Sequence, residues 1–175
     1  MPYQFIFAPI VLPRYNLRQK HNFVVGAASH KVAGIAASLR SQAYRPVIVS
    51  SPIVTASNRR MLFSGFACQD GRLACAYLPA LSIRGLNRLY AAFGYLWFAL
   101  RQIGREDIVV LYNYFPEYIP VAVWLRWRLG RERLILDIED GPRDDENHLR
   151  GFVSRWSLRL RRWGLGWLRW LAGWL

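Results

Sequence analysis

The chain has 175 residues, of which 53% are hydrophobic and 15% aromatic, and its net charge is +13. This hydrophobic content excludes an intrinsically disordered chain, and the length fits one domain with a substantial core. Arginine supplies 22 of the 24 basic side chains. A basic surface favours an anionic partner such as a phosphorylated ligand, an acidic membrane surface or nucleic acid, unless the charge is only a solvated surface.

Cysteine and histidine usage argues against a metal site. Cys68 and Cys75 are separated by six residues and have no histidine close to them in sequence, so they lack the spacing of metal ligands. We expect two buried, reduced thiols in a cytosolic protein. The apolar start of the chain, residues 3–12, lacks a basic segment before it and is followed by Pro13, which favours a strand over a secretion signal.

Apolar runs and helical periodicity alternate along the chain. Continuous apolar runs predict buried strands at residues 5–12, where Pro9 marks an end or an irregularity, and at 46–50, 73–78, 107–112 and 133–138. A basic loop is predicted for 13–22, and irregular structure for 51–73. Helical patterns start after Ser29, the expected N-cap, and cover 82–104 and 118–129. The apolar side chains of the second helix are expected in the core: Leu86, Leu89, Tyr90, Phe93, Trp97 and Leu100.

This order of elements predicts the α/β class, with an open, doubly wound, mostly parallel sheet of the Rossmann-like type. Ligands of such sheets bind at the carboxyl ends of the strands. Three loops should therefore converge on a site: 22–30, 113–117 and 139–147.

The segment 134–147, LILDIEDGPRDDEN, is the most unusual part of the chain. Seven of the eleven carboxylates lie between Glu132 and Glu146, although the protein as a whole is strongly basic. An apolar strand here runs into an acidic cluster and a Gly-Pro turn. The alternation of side chains along a strand places Asp137 and Glu139 on one face.

These carboxylates are candidates for a binding or catalytic site. Glu139 and Asp140 can accept hydrogen bonds from hydroxyl groups and stabilise positive charge that develops in a transition state. We predict them as catalytic residues, with Asp137, Asn113 and Tyr114 binding substrate. In the alternative interpretation the carboxylates cap the next helix or pair with arginines, Asn113 forms a turn and Tyr114 packs in the interior.

Three segments together resemble the N-terminal half of a family 4 glycosyltransferase of the GT-B fold: GAASHKVAGIAASLRSQAYRPVIVS, VLYNYFPEY and LILDIEDGP. The resemblance covers about residues 1–160. It implies an acceptor-binding domain that faces a second, donor-binding domain across a cleft. Such enzymes transfer a sugar from a nucleotide-sugar donor to a glycan or lipid-linked acceptor, without a resident cofactor or metal.

The resemblance also assigns roles to individual residues. Glu139 falls where many members carry a histidine beside the transferred sugar, and it belongs to the acidic motif of a bacterial subgroup. Gly26 and Ala27 match the loop that approaches the donor phosphates. Because the resemblance ends near residue 160, we expect a truncated enzyme whose activity depends on a separate donor-binding domain, and otherwise a non-catalytic sugar- or membrane-binding remnant.

The C-terminal region is expected to divide at residue 163, with a Rossmann-like domain at 1–163 and an amphipathic tail at 164–175. Five tryptophans between residues 156 and 174 fall on one stripe of a helix and are flanked by arginines. This pattern is typical of a helix that lies on an anionic membrane surface. The alternatives are packing against the rest of a parent protein and a non-native extension.

These patterns predict a cytoplasmic protein, either free or peripheral on the cytoplasmic face of the membrane. Nucleic-acid binding is disfavoured as a function. The acidic cluster would repel phosphates at the predicted ligand edge, and the sequence carries no zinc-finger, helix-turn-helix or RNA-recognition signature.

Overall fold

A computed structural model of the chain describes residues 2–19, 26–52, 61–83, 85–113 and 115–137. Its eight strands in chain order are β1 Tyr3–Phe7, β2 Arg45–Ser50, β3 Leu62–Phe63, β4 Phe66–Asp70, β5 Leu73–Tyr77, β6 Ala80–Leu81, β7 Ile108–Tyr112 and β8 Leu134–Asp137. Its helices are α1 Pro13–Gln19, α2 Ala27–Ser41, α3 Leu86–Gln102 and α4 Ile119–Leu129, and a 3-10 turn at Pro116–Tyr118 precedes α4.

Six strands form one mostly parallel sheet in the order β4-β5-β2-β1-β7-β8. Only the β4–β5 pair is antiparallel, while β3 and β6 form a separate antiparallel pair. The predicted α/β class and the mostly parallel sheet are confirmed. The predicted strand over residues 5–12 ends at Phe7, before Pro9, as expected for a residue that lacks a backbone donor.

Two hydrophobic clusters use alternate side chains of the central strand β1. Phe5 and Phe7 belong to one cluster, which includes residues of α3 and α4, and Ile6 belongs to the other, which includes residues of α1 and α2. Since successive side chains of a strand point to opposite faces, helices cover the sheet on both sides of β1. This burial explains why the strand reads as a continuous apolar run.

The predicted loop at residues 13–22 is wrong over its first part, where the chain forms α1. Pro13 begins this helix, at the position where its missing N–H and fixed φ are tolerated. Tyr15 and Gln19, one helical turn apart, are its buried residues. Because only two side chains of this helix are buried, the sequence carries no repeated apolar period there.

The irregular structure predicted for 51–73 is also wrong from residue 62 onward. Phe66–Asp70 and Leu73–Tyr77 form an antiparallel hairpin whose turn includes Gly71, with a positive φ of 61°. Gly71 is the first residue of this two-residue loop, and glycine at that position is a known hairpin signal that would have predicted the turn.

The predicted N-cap of α2 is displaced by three residues. Gly26 caps the helix, and Ser29 lies inside the first turn, where it is buried. The Ser29 hydroxyl oxygen accepts a hydrogen bond from the backbone N–H of Val11, at 3.4 Å. Ser29 therefore fixes the loop after β1 and does not cap its own helix.

The core assignment of the α3 side chains is wrong. Tyr95 and Ala99 are the buried residues of this helix, whereas Phe93 is 71% exposed and Trp97 is 59% exposed. The other residues of the predicted stripe are exposed as well: Leu86, Leu89, Tyr90 and Leu100. Helical spacing identifies an apolar stripe, but it does not show which side of the helix meets the sheet.

Cys68 and Cys75 lie opposite each other on β4 and β5, and both are free thiols. Cys75 is buried as predicted, whereas Cys68 is only half-buried. Burial, with smaller contributions from nearby Cys68 and Asp70, raises the pKa of the Cys75 thiol to about 12.

We therefore expect Cys75 to resist alkylation in the folded protein. With a pKa of about 12, the reactive thiolate is on the order of one part in ten thousand at pH 8. Iodoacetamide labelling at pH 8, followed by peptide mass spectrometry, should show Cys75 unmodified in native protein and modified after unfolding in urea. Equally fast labelling of Cys75 in both states would contradict the burial of this thiol.

Candidate functional site at the carboxyl edge of the sheet

The carboxyl ends of the parallel strands lie side by side at one edge of the sheet. Phe7 pairs with Leu111 across β1 and β7, and Tyr112 pairs with Asp137 across β7 and β8. The chain segments that leave these strands therefore begin next to one another. This is the edge at which the sequence predicts a site.

Side chains hold the segment after β1 in place at this edge. The Ser50 hydroxyl accepts a hydrogen bond from the Ile10 N–H at 3.1 Å and donates one to the Ile10 carbonyl at 2.6 Å. The Tyr77 hydroxyl accepts a third from the Leu12 N–H, at 3.1 Å. The loop 8–12 is thus tied to the ends of β2 and β5 by buried side chains.

Asn113 and Asp137, both predicted to bind substrate, are brought together. The backbone N–H of Asn113 donates to the carbonyl of Asp137, and the nitrogen–oxygen distance is 2.6 Å. Asn113 adopts a left-handed conformation with φ 58°, which asparagine tolerates better than most residues. Both residues are half-buried, so neither is withdrawn into the core. Asn113 therefore adopts a turn conformation, as in the alternative interpretation, and it still lies at the carboxyl edge of the sheet.

Gly26 and Ala27 lie elsewhere along the edge. They begin α2, which packs on β2 and β5, whereas Asn113 and Asp137 lie at the ends of β7 and β8. β1 separates these two pairs of strands in the sheet. Both residues are exposed, and a Cβ added at Gly26 would meet nothing within 4 Å, so local packing does not require glycine there.

The remaining predicted site residues lie outside the described residues. They are Tyr114, Glu139 and Asp140. The domain boundary at residue 163 and the tryptophan stripe of the tail also fall outside this part of the chain. Glu139 and Asp140 follow Asp137, the last residue of β8, by two and three positions in the sequence.

Glu117 is the residue at this edge that the sequence analysis missed. It lies in the 3-10 turn after β7, and its side chain is only 6% exposed. Its Oε1 atom lies 3.4 Å from Nε of Arg88 on α3, whose side chain is 47% exposed. Its Oε2 atom is buried and has no hydrogen-bond partner among the described residues.

A second buried carboxylate, that of Asp107, has a purely structural role. Asp107, 8% exposed, lies at the amino end of β7, at the opposite edge of the sheet. One of its oxygens accepts from the Tyr3 N–H and the other from the Gly104 N–H, each at 2.8 Å. Both oxygens of Asp107 are therefore used by the fold, whereas one oxygen of Glu117 has no partner in the part of the chain that the structure describes.

Glu117 and Arg88 line a narrow cleft between the segments that follow β1, β2 and β7. Its other walls include Pro9, Ser51, Asn87, Tyr95, Phe115 and Tyr118. The free space is about 10 Å³, enough for about one water molecule or one hydroxyl group. Burial raises the pKa of the Tyr95 and Tyr118 hydroxyls, so both remain neutral near pH 7. The Tyr95 hydroxyl accepts a hydrogen bond from the Ser51 N–H at 2.9 Å, which fixes this wall of the cleft.

The sequence carried only a weak signal for Glu117. The loop 113–117 was predicted to reach the ligand edge, but this single carboxylate lies among apolar residues, in FPEYIP. Its partner Arg88 comes from another element, about thirty positions earlier in the chain, and no short motif links two such residues.

Within the described residues, no group of three or more His, Cys, Asp or Glu side chains is placed to hold a metal ion. In the same part of the chain, no helix combines the length and apolarity needed to cross a membrane.

Comparison of the chain with protein-family models, curated proteins and solved structures gave no match. The function of this edge must therefore be argued from its own chemistry.

Proposed function

We propose that this chain is the acceptor-binding domain of a sugar-transferring enzyme of the GT-B type. In this proposal the domain is doubly wound and Rossmann-like, and it binds a glycan or lipid-linked acceptor at the carboxyl edge of its sheet. A nucleotide-sugar donor is held by a separate donor-binding domain. No resident cofactor is needed, and nucleic acid is not a partner.

The buried Oε2 atom of Glu117, which has no hydrogen-bond partner among the described residues, is the observation that carries this proposal. A buried acceptor without a partner is costly, on the order of 1–3 kcal/mol, and a ligand hydroxyl can relieve this cost. Arg88 pairs with the carboxylate and offers further N–H donors from the same wall. A carboxylate beside a guanidinium can bind adjacent sugar hydroxyls, one as acceptor and one as donor.

Asn113 and Asp137 extend this polar surface toward β8. Because the Asn113 N–H is bound to the Asp137 carbonyl, the ends of β7 and β8 are held together. Glu139 and Asp140 follow directly in the chain, and we assign them the catalytic role of stabilising positive charge on the transferred sugar. The role of Gly26 and Ala27 in this proposal is to approach the donor phosphates at the start of α2.

The location of the protein follows from the acceptor. A lipid-linked acceptor would be reached from the cytoplasmic face of a membrane, so we propose a cytoplasmic protein that binds there peripherally. The net charge of +13 favours an anionic lipid surface.

We expect simple glycosides to bind at this edge and to depend on Glu117. Nuclear magnetic resonance titration of the ¹⁵N-labelled chain with methyl glycosides of mannose, glucose, galactose and N-acetylglucosamine should shift the amide signals of Asn113, Glu117 and Asp137. Glu117→Gln should weaken the best binder about tenfold, since a hydrogen bond to a charged acceptor is lost.

Glu132→Gln is the matched control, because it makes the same chemical change at an exposed position before β8, at the other edge of the sheet. It should leave affinity unchanged. The proposal fails if none of the four glycosides shifts these signals, or if both substitutions weaken binding equally.

A further inference from the structure

Helix α3 presents a continuous apolar surface to solvent. Leu86, Leu89, Tyr90, Phe93, Trp97 and Leu100 are all exposed, with Phe93 at 71%. At about 100° per residue these six side chains fall within an arc of roughly 100°, and no charged or polar residue of the helix lies within that arc. We call this set the α3 face.

The α3 face borders a shallow groove of about 450 Å³. Leu78 and Pro79, which follow β5, form one side of this groove, and Tyr90, Phe93, Leu96, Trp97 and Leu100 contribute the helix side. Its three exposed aromatic side chains alone leave on the order of 350 Å² of apolar area in water. An exposed patch of this size on a soluble protein usually marks an interaction site.

Arginine is the only charged residue type in the segment of the chain that carries this surface. Between residues 71 and 105 the chain has five arginines and no aspartate or glutamate. Arg101 borders the α3 face directly, with its guanidinium carbon 4.2 Å from the centre of the Trp97 ring. The guanidinium lies over the face of the Trp97 ring, which is the arrangement of a cation–π contact, and it places a positive charge beside the apolar side chains.

We propose that the α3 face docks on the surface of a bilayer that contains anionic lipid. The helix lies parallel to the membrane plane, its leucine and aromatic side chains enter the boundary between headgroups and acyl chains, and Arg101 meets a lipid phosphate. This is the arrangement of an interfacial amphipathic helix, and here it is presented by a folded domain.

Charge and area favour a bilayer over a second copy of the chain, and charge favours it over the chain's own segment 151–175. A second copy of the chain would bring like charges together, and the α3 face exposes less than the roughly 800 Å² per partner that a stable dimer buries. The chain's own segment 151–175 carries five arginines and no carboxylate, so docking it here would also oppose like charges. Anionic lipid offers apolar contact and complementary charge together.

This inference does not depend on sugar transfer or on the C-terminal tail. It has one consequence for the candidate site, because Arg88 belongs to the same helix and pairs with Glu117. A membrane that holds α3 therefore also holds one wall of the cleft at a fixed position relative to the lipid.

Vesicle flotation of the full chain tests the proposal. The double variant Phe93→Gln/Trp97→Gln should bind vesicles of phosphatidylcholine with about 30 mol% phosphatidylserine at least tenfold more weakly than the parent, since two large apolar groups are withdrawn. The double variant should retain its fold, because both positions are exposed. Circular dichroism checks this.

Trp127→Gln is the matched control, because Trp127 on α4 is 81% exposed and lies outside the α3 face. The partition of Trp127→Gln onto the vesicles should change less than twofold relative to the parent chain. The same tenfold loss should appear when the comparison is repeated with Trp167→Gln/Trp170→Gln also present, which weakens any contribution from the tail. Unchanged flotation of the α3 variant, an equal loss in Trp127→Gln, or a lipid-free dimer that only the α3 substitutions dissociate would overturn the proposal.

Discussion

Replacing Phe7 by alanine is expected to lower the free energy of unfolding by about 3–5 kcal/mol. Phe7 is fully buried at the end of the central strand β1. Its ring stacks on Tyr95 at a centroid distance of 5.2 Å and meets the edge of Phe98 at 6.1 Å. The substitution removes these contacts and leaves a cavity between β1 and α3. Urea unfolding followed by circular dichroism measures the loss.

Phe93→Ala is the control for this prediction, because it deletes the same side chain from the exposed face of α3. We expect a change in unfolding free energy within about 0.5 kcal/mol. The pair also tests which side of α3 packs on the sheet. A loss of several kcal/mol in Phe93→Ala would show that the α3 face is covered in the folded chain.

Replacing Ser50 by alanine is expected to lower the unfolding free energy by about 2–4 kcal/mol. The Ser50 hydroxyl, in a residue only 1% exposed, satisfies both the N–H and the carbonyl of Ile10. Its removal leaves two buried backbone groups without a partner, each of which costs about 1–3 kcal/mol. The loop 8–12 also loses its tie to β2, so the amide signals of Ala8 and of residues 10–12 should shift in the nuclear magnetic resonance spectrum.

Ser41→Ala makes the same chemical change at an exposed helix end, where the hydroxyl donates only to the Ser38 carbonyl. Water can replace that bond, and the expected loss is below about 0.5 kcal/mol. Equal losses in the two variants would mean that the hydrogen bonds of Ser50 do not hold the loop.

The inner strands β1, β2 and β7 of the parallel sheet could be predicted from sequence because side chains on both of their faces are buried. Apolar runs such as PVIVS and DIVVLY leave few other interpretations in a chain of this length. The helix α1 and the strand β4 could not be predicted in this way. α1 buries only two side chains, and β4 contains Ala67 and Asp70, which are poor strand formers.

The candidate site was predicted only in part, and for a physical reason. Asn113 and Asp137 follow apolar strands, so the edge of the sheet that they occupy can be read from sequence. The pairing of Glu117 with Arg88 depends on how α3 packs beside the 3-10 turn, and no local pattern encodes that packing. The sequence prediction centred on residues 137–140 because the large acidic cluster lies there. The buried carboxylate of Glu117 has no acidic neighbour close to it in the sequence.

The position of β1 has a consequence for synthesis of the chain. This strand leaves the ribosome before the other strands of its sheet, yet it lies between β2 and β7, and its partners in β7 are about a hundred residues away. Until residue 112 has emerged, β1 can pair only on its β2 side, and its other edge stays open with apolar side chains beside it. An open apolar edge is a template for wrong pairing. The interval between synthesis of β2 and of β7 is therefore the period in which a nascent chain has most need of a chaperone.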